Sequence, residues 1–204
     1  MIDYITYTLT VFTGFFAIMN PIANTPIFLG LVDGKDELTR RKIARISTIT
    51  AFIIVTSFIV LGKYIFELFG ITIPAFKITG GILIFYVGFE MLMSRKSSIH
   101  ETENRNNDTD IAISPIAIPI LAGPGTIVTA MNFITSSNTI QIGIVIATFA
   151  LITLFTYLAF IFSNRIVKKV GHNLIAVIGK IMGLIIAIIG TGMVVEGIKL
   201  SFNL

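Results

Sequence analysis

The sequence has no cysteine and no tryptophan, and only 13% of its 204 residues are charged. Without cysteine there is no disulfide and no thiolate metal site. The shortage of charge excludes more. A soluble domain carries charge on about a quarter of its residues, whereas this chain is 54% hydrophobic at single-domain length. With a mean hydropathy of +0.91, it would present far too much apolar surface to water, so a bilayer is the expected solvent. Histidine is scarce too: His100 falls in a polar stretch and His172 in a predicted loop, neither with a metal-ligand or catalytic neighbour. No Ser/His/Asp or paired-carboxylate constellation falls at membrane depth, so neither an enzyme nor a metal centre is expected. No phosphate-binding Gly-rich–Lys–Ser/Thr motif and no cofactor motif is present. The net charge of +4 does not indicate nucleic acid, because excess positive charge belongs to the cytoplasmic loops of a membrane protein.

What is abundant is long apolar runs. A hydrocarbon core needs about 20 apolar helical residues per crossing, and six segments qualify: Tyr4–Leu31, Ala44–Phe69, Ile73–Met93, Ile111–Ile134, Ile140–Phe162 and Leu174–Leu200. The opening Met1-Ile2-Asp3-Tyr4 has no basic n-region and leads into a run too long for an h-region, so it reads as a first span and not a cleaved signal. Polar connections separate the runs at Asp33–Glu37, at Ser94–Asp110 (a mobile loop by composition), at Ser136–Asn138, and from Asn164-Arg165 through His172-Asn173. The boundary least marked by composition is Gly70–Pro74.

Loops after the first, third and fifth runs share one side. They hold Lys35, Arg40, Arg41, Lys42, Arg45, Arg95, Lys96, Arg105, Arg165, Lys168 and Lys169, eleven of the 15 basic residues. The other side holds Lys63 and Lys199, and Lys77 and Lys180 fall just inside runs. The positive-inside rule then predicts a multi-pass protein of the cell (inner or plasma) membrane with both termini outside.

Shifting the sequence against itself by 103 residues places Pro21 on Pro124, Lys77 on Lys180 and Gly80 on Gly183. These matches predict two three-helix repeats, residues 1–93 and 111–204, joined by a cytoplasmic loop at 94–110. An odd number of spans inserts the second repeat upside down, the plan of many secondary transporters. Two runs are broken at matching places. The first contains Asn20-Pro21-Ile22-Ala23-Asn24-Thr25-Pro26, the fourth Leu121-Ala122-Gly123-Pro124-Gly125-Thr126, with Pro115 and Pro119 upstream. Proline removes backbone donors and frees carbonyls, and in hydrocarbon such groups survive only where protein or water covers them. Packing kinks alone would also use proline. Paired interruptions carrying polar side chains point instead to a binding site. Amide N–H groups at a half-helix start favour a carboxylate and freed carbonyls an ammonium, so an amino-acid zwitterion fits a site of Asn20, Pro21, Asn24, Thr25, Gly123, Pro124, Gly125 and Thr126, extended by Thr129 and Asn132.

Small residues recur at Gly179, Gly183, Ala187 and Thr191 and at Gly80 and Gly88, spacings that mark helix packing. Lys77 and Lys180 lie three residues before Gly80 and Gly183. Snorkelling to the interface is the default for each, and a gating ion pair or an anion contact the alternative. Glu90 and Glu196, near the far ends of the same runs, are interfacial by position and are also the candidate proton carriers.

The phrases Asn20-Pro-Ile-Ala-Asn-Thr-Pro, Phe76-Lys-Ile-Thr-Gly-Gly-Ile-Leu-Ile-Phe, Ile118-Pro-Ile-Leu-Ala-Gly-Pro-Gly-Thr-Ile and Gly179-Lys-Ile-Met-Gly-Leu-Ile together resemble the MarC family of bacterial and archaeal inner-membrane proteins. The resemblance spans essentially the whole chain. It implies kinship with LysE-type amino-acid exporters and transport of small neutral amino acids such as glycine and alanine. It places the site motif on Asn20, Pro21, Asn24 and Pro26 and on Gly123, Pro124, Gly125 and Thr126. Ala23 stands where the family commonly has Gly, and Thr79 where it commonly has Ala. The expectation is thus an all-α polytopic protein that moves a small neutral amino acid by alternating access. The coupling ion is left open between H+ and Na+, with proton coupling favoured, and homo-oligomerisation is left open. The rival is a passive channel or a non-transporting membrane assembly partner.

Overall fold

The computed structural model describes residues 4–93, 108–134 and 138–202. Among these the chain is helical with no strand. In order the helices are α1 (Tyr4–Met19), α2 (Thr25–Leu31), α3 (Glu37–Phe69), α4 (Ile73–Leu92), α5 (Asp108–Ile111) continuing into a wide helical segment (Ala112–Leu121), α6 (Pro124–Ile134), α7 (Thr139–Ile161), α8 (Ser163–Val170) and α9 (His172–Phe202).

Local chemistry explains most boundaries. The Asp36 carboxylate caps α3, accepting from the amides of Leu38 (3.2 Å) and Thr39 (3.4 Å). The Thr39 hydroxyl, with these amides, holds that carboxyl below its usual range. Gly70 ends α3 in the left-handed conformation (φ 61°), which costs glycine nothing. Two residues later the Thr72 hydroxyl caps α4 by accepting from Ala75 N–H, with Pro74 in the first turn where no donor is missed. Composition marks this connection weakly because it is so short. α7 opens with a capping box between Asn138 and Gln141.

Helices α3, α4, α7 and α9 are long and apolar enough to cross a membrane, and the bent pair Ala112–Leu121 plus Pro124–Ile134, angled by 48°, makes a fifth candidate. The expected first span is divided. α1 has 16 residues, about 24 Å of helix, and falls short of the core thickness by itself, while α2 adds 7 beyond the break. Of the expected 94–110 loop, residues 94–107 lie outside the described residues and 108–110 already belong to α5. The expected loop from Asn164 to Asn173 is instead α8 and the start of α9. Its polar residues fall on one helical face, a pattern that composition alone cannot separate from a loop.

Packing divides the helices into a bundle and an outer pair. The bundle core joins α1, α2, α3, the broken segment, α6 and α7 through Phe15, Phe28, Ile43, Val55, Ile116 and Phe149, all essentially inaccessible. Phe149 of α7 lies 4.9 Å from Phe15 and 6.0 Å from Phe52, ring centre to ring centre. The outer pair, α4 and α9, packs antiparallel backbone to backbone. A Cβ on Gly81 would lie 2.6 Å from the Gly190 carbonyl oxygen, one on Gly88 2.5 Å from that of Gly183, and one on Gly197 2.9 Å from that of Pro74. The contact face therefore steps by seven residues, through Gly81 and Gly88 and through Gly183, Gly190 and Gly197. The four-residue set expected from the sequence divides. Gly183 and Ala187 stay on the face, Gly179 turns to Ala23, Gly80 to Val128 of α6, and Thr191 is exposed. Four residues overshoot a turn by about 40°, whereas seven drift only about 20°, so only the longer step keeps a long contact in register. The remaining faces of this pair expose Phe85, Phe89, Leu184 and Ile188, as a lipid-facing surface requires.

Candidate functional site at the two helix breaks

The first break follows α1. Asn20 is 2% exposed and takes φ +39°, a conformation that L-residues other than asparagine and aspartate rarely adopt. That residue turns the chain before Pro21. The break then closes on its own polar groups. The Asn24 side-chain amide donates to the Met19 carbonyl (2.7 Å), the Thr25 hydroxyl to the Ile22 carbonyl (2.7 Å), and the Ala23 amide to Asn20 Oδ1 (3.4 Å). The Ile22 carbonyl, which Pro26 cannot serve, and the Met19 carbonyl at the end of α1 are thus answered by side chains of the same motif. Asn20 Nδ2 is left over, a buried donor with no partner among the described residues.

The second break has a different construction. Ser114 and Ile118, each directly before a proline, are forced to extended geometry (φ −131°, ψ 118° and φ −127°, ψ 122°), as the proline ring demands of its predecessor. The Ala122 amide reaches back five residues to the Ala117 carbonyl (2.8 Å). Gly123 lies so close to the Pro119 carbonyl that no side chain could be carried there. Pro124 then starts α6, and the amides of Gly125 and Thr126 fall in the first turn, where a helix has no internal acceptors for them.

The fold brings the two breaks together. Phe133 of α6 packs on Phe15 (5.6 Å) and accepts the Tyr7 hydroxyl at its carbonyl (2.9 Å), while Gly125 faces Ile18, where a Cβ would approach to 3.1 Å. α1 and α6 therefore run antiparallel, with the end of α1 beside the start of α6. The outer pair closes this region: Gly125 also faces Val87 of α4, and Gly179 of α9 faces Ala23. The breaks lie between the bundle and the outer pair. Thr126 and Thr129 are 2% and 5% exposed. Asn132 Oδ1 and Thr56 Oγ1 are buried without partners among the described residues. Thr56, on α3, has no sequence signal beyond being one hydroxyl among many in an apolar run.

The four charged candidates separate. Lys77 is 7% exposed and forms an ion pair with the half-exposed Glu196 across α4 and α9. Lys180 is exposed. Glu90 accepts the Tyr86 hydroxyl (2.9 Å) one turn away on the same helix. None of the four is among the residues that close the breaks.

Residues 5–202 match the family described as MarC family integral membrane protein. A UPF0056 membrane protein of Pyrococcus horikoshii is 37% identical over 204 residues, the full length of both chains. One from Bacillus subtilis is 40% identical over 199 residues, 94% of each chain, and one from Aquifex aeolicus 34% over 198, covering 92% and 90%. These names state a membrane protein and no substrate. No solved structure matches.

Proposed function

The chain belongs to the MarC family of integral membrane proteins, and on that premise we propose that it is a secondary transporter of small neutral amino acids such as glycine and alanine. The observation that carries this reading is Asn20 Nδ2 at one break, buried and without a partner among the described residues, beside a second break where α6 begins. A donor buried without a partner costs about 1–3 kcal/mol, which a ligand acceptor would recover. The carboxylate of a zwitterion meets Asn20 Nδ2 and the first-turn amides of Gly125 and Thr126, and freed carbonyls meet its ammonium. No charged side chain is needed, which suits a neutral ligand.

Six crossings arranged as inverted repeats complete the proposal, with α1 and α2 counted as one interrupted span and both termini outside. Two contacts support it. The outer pair joins the last helices of the two halves, and between its close contacts Gly81–Gly190 and Gly88–Gly183 lie Ile84 and Ala187, themselves 103 positions apart. α3 and α7, the middle helices, also pack on each other through Phe52 and Phe149. Alternating access is then rocking of the outer pair against the bundle about the breaks, and the Lys77–Glu196 pair fastens α4 to α9 so that they move as one body. Proton coupling through Glu90 or Glu196 is the favoured coupling, with sodium held by carbonyls and threonine hydroxyls the rival.

The test is counterflow and uptake of labelled glycine and alanine in proteoliposomes, in sodium-free buffer, with and without an imposed pH gradient. Saturable, pH-driven accumulation is expected, and it should be lost in Glu90→Gln or Glu196→Gln. Accumulation that needs sodium and ignores the gradient would replace the proton. No saturable exchange of either amino acid would remove the transporter reading and leave the channel or assembly role.

A further inference from the structure

The end of the molecule that gathers most of the basic residues holds a cleft of about 390 Å³ between the first turns of α3 and the corner where α7 meets α8. Three arginines line it from two separate elements: Arg40 and Arg41 of α3 and Arg165 of α8, with Ser163 and the single acid Glu37. Glu37 is engaged by Arg41 at i,i+4. The Arg40 Nε–H is spent on the Lys35 carbonyl (2.8 Å), which orients its guanidinium, and Arg165 stands over the Phe162 ring at 5.7 Å. Three like charges around one cavity against one carboxylate favour an anion, and guanidinium forks match phosphate oxygens in pairs. Phe160 and Ile161 at the end of α7 supply the apolar part of a lining that is otherwise polar.

α8 itself points to the source of that phosphate. Its Asn164, Arg165, Lys168 and Lys169 are exposed, while Ser163, Ile166, Val167 and Val170 turn inward, an amphipathic pattern over eight residues. It links two membrane-crossing helices, α7 and α9, so it lies at a membrane boundary. Phe162 and Leu38, each next in sequence to a lining residue, are 44% and 77% exposed. Exposed apolar side chains beside a cluster of arginines suit acyl chains below a headgroup layer, and a free phosphate has no use for them. We propose that this cleft binds the phosphate of an anionic membrane lipid, with α8 lying in the headgroup layer and Arg40, Arg41 and Arg165 as the phosphate ligands.

The experiment measures lipid binding to the purified full chain in a neutral detergent by native mass spectrometry, titrating phosphatidylglycerol, phosphatidylcholine or glycerol phosphate. Variants are Arg40→Gln, Arg165→Gln and, as a charge-matched control outside the cleft, Lys168→Gln. Circular dichroism checks that each is folded. Phosphatidylglycerol should bind at least tenfold more tightly than either comparison compound, should weaken at least tenfold in each arginine variant, and should change less than twofold in Lys168→Gln. Equal binding of phosphatidylcholine would overturn the proposal, as would equal loss in Lys168→Gln, since that means diffuse surface charge. Glycerol phosphate binding as tightly as the lipid would overturn the lipid assignment. An arginine variant that fails to fold is replaced by Arg→Lys, which keeps the charge but not the fork, and it must still weaken the lipid for the proposal to stand.

Discussion

Replacing Asn20 by glycine separates a bend from a binding site. At φ +39° an L-residue pays roughly 1–2 kcal/mol, asparagine toward the low end. Glycine removes that strain, offset by about 0.5–1 kcal/mol of extra freedom in the unfolded chain. The change deletes a buried donor with no partner, which returns about 1–3 kcal/mol. What is lost is the acceptor for Ala23 N–H at 3.4 Å. That contact is longer than a good hydrogen bond and so contributes less than the typical 0.5–1.5 kcal/mol or so. Asn20→Gly should therefore leave the empty protein as stable as the parent or more stable by about 1 kcal/mol. If the Nδ2 donor meets a substrate carboxylate, losing a bond to a charged group costs roughly 1.5–3 kcal/mol, or about 10- to 100-fold in affinity. Asn20→Ala loses the same donor but keeps the Cβ at positive φ, so it should unfold at a lower temperature than the glycine variant. Thermal unfolding by circular dichroism in detergent gives the stabilities, and concentration-dependent counterflow in proteoliposomes gives the affinity. Parent-like transport by Asn20→Gly would refute the site, and an alanine variant more stable than the glycine variant would refute the backbone reasoning.

Asn24→Ala should behave differently, because its amide already serves the Met19 carbonyl. A loss of about 1–3 kcal/mol in stability is expected from the orphaned buried carbonyl, seen as a lower unfolding temperature before any change in substrate affinity. In the outer pair, Gly190→Ala puts a methyl 2.6 Å from the Gly81 carbonyl oxygen and should destabilise by about 1–3 kcal/mol. Gly192→Ala, two residues on with nothing within 4 Å, should instead stabilise by up to about 1 kcal/mol through helix propensity; the same sign in both would contradict the close-packed face. Glu196→Gln leaves the Lys77 ammonium buried and unpaired, and its cost in the same unfolding assay should be about 1–2 kcal/mol, below that of a fully buried pair because Glu196 is half exposed. Lys77→Met should cost less than Glu196→Gln. A membrane-impermeant thiol reagent should label Phe202→Cys but not Lys169→Cys in intact cells, and the reverse would invert the topology.

The membrane class was readable from the sequence because it depends on totals: too little charge for water, and runs long enough to cross a bilayer. Both breaks were readable because proline acts on its own and the preceding residue, so Asn20-Pro21 and Gly123-Pro124 announce themselves whatever surrounds them. α8 was not readable, since eight residues with five polar positions look like a loop until α2, α7 and α9 supply something for Ile166, Val167 and Val170 to pack against. The contact face of α4 and α9 required knowing how each helix is rotated, which chooses Gly81 over Gly80 and Gly190 over Thr191 although the residues are neighbours in sequence. The Lys77–Glu196 pair depends on the same rotation across more than a hundred residues. Within the first break, sequence placed Asn20 and Asn24 on equal terms, and only the path of the chain separated them: Asn24 folds back onto the Met19 carbonyl, and Asn20 Nδ2 is left buried with nothing to donate to. Hydrogen-bonding capacity belongs to a residue, but what remains unspent after folding is decided by the geometry of its neighbours.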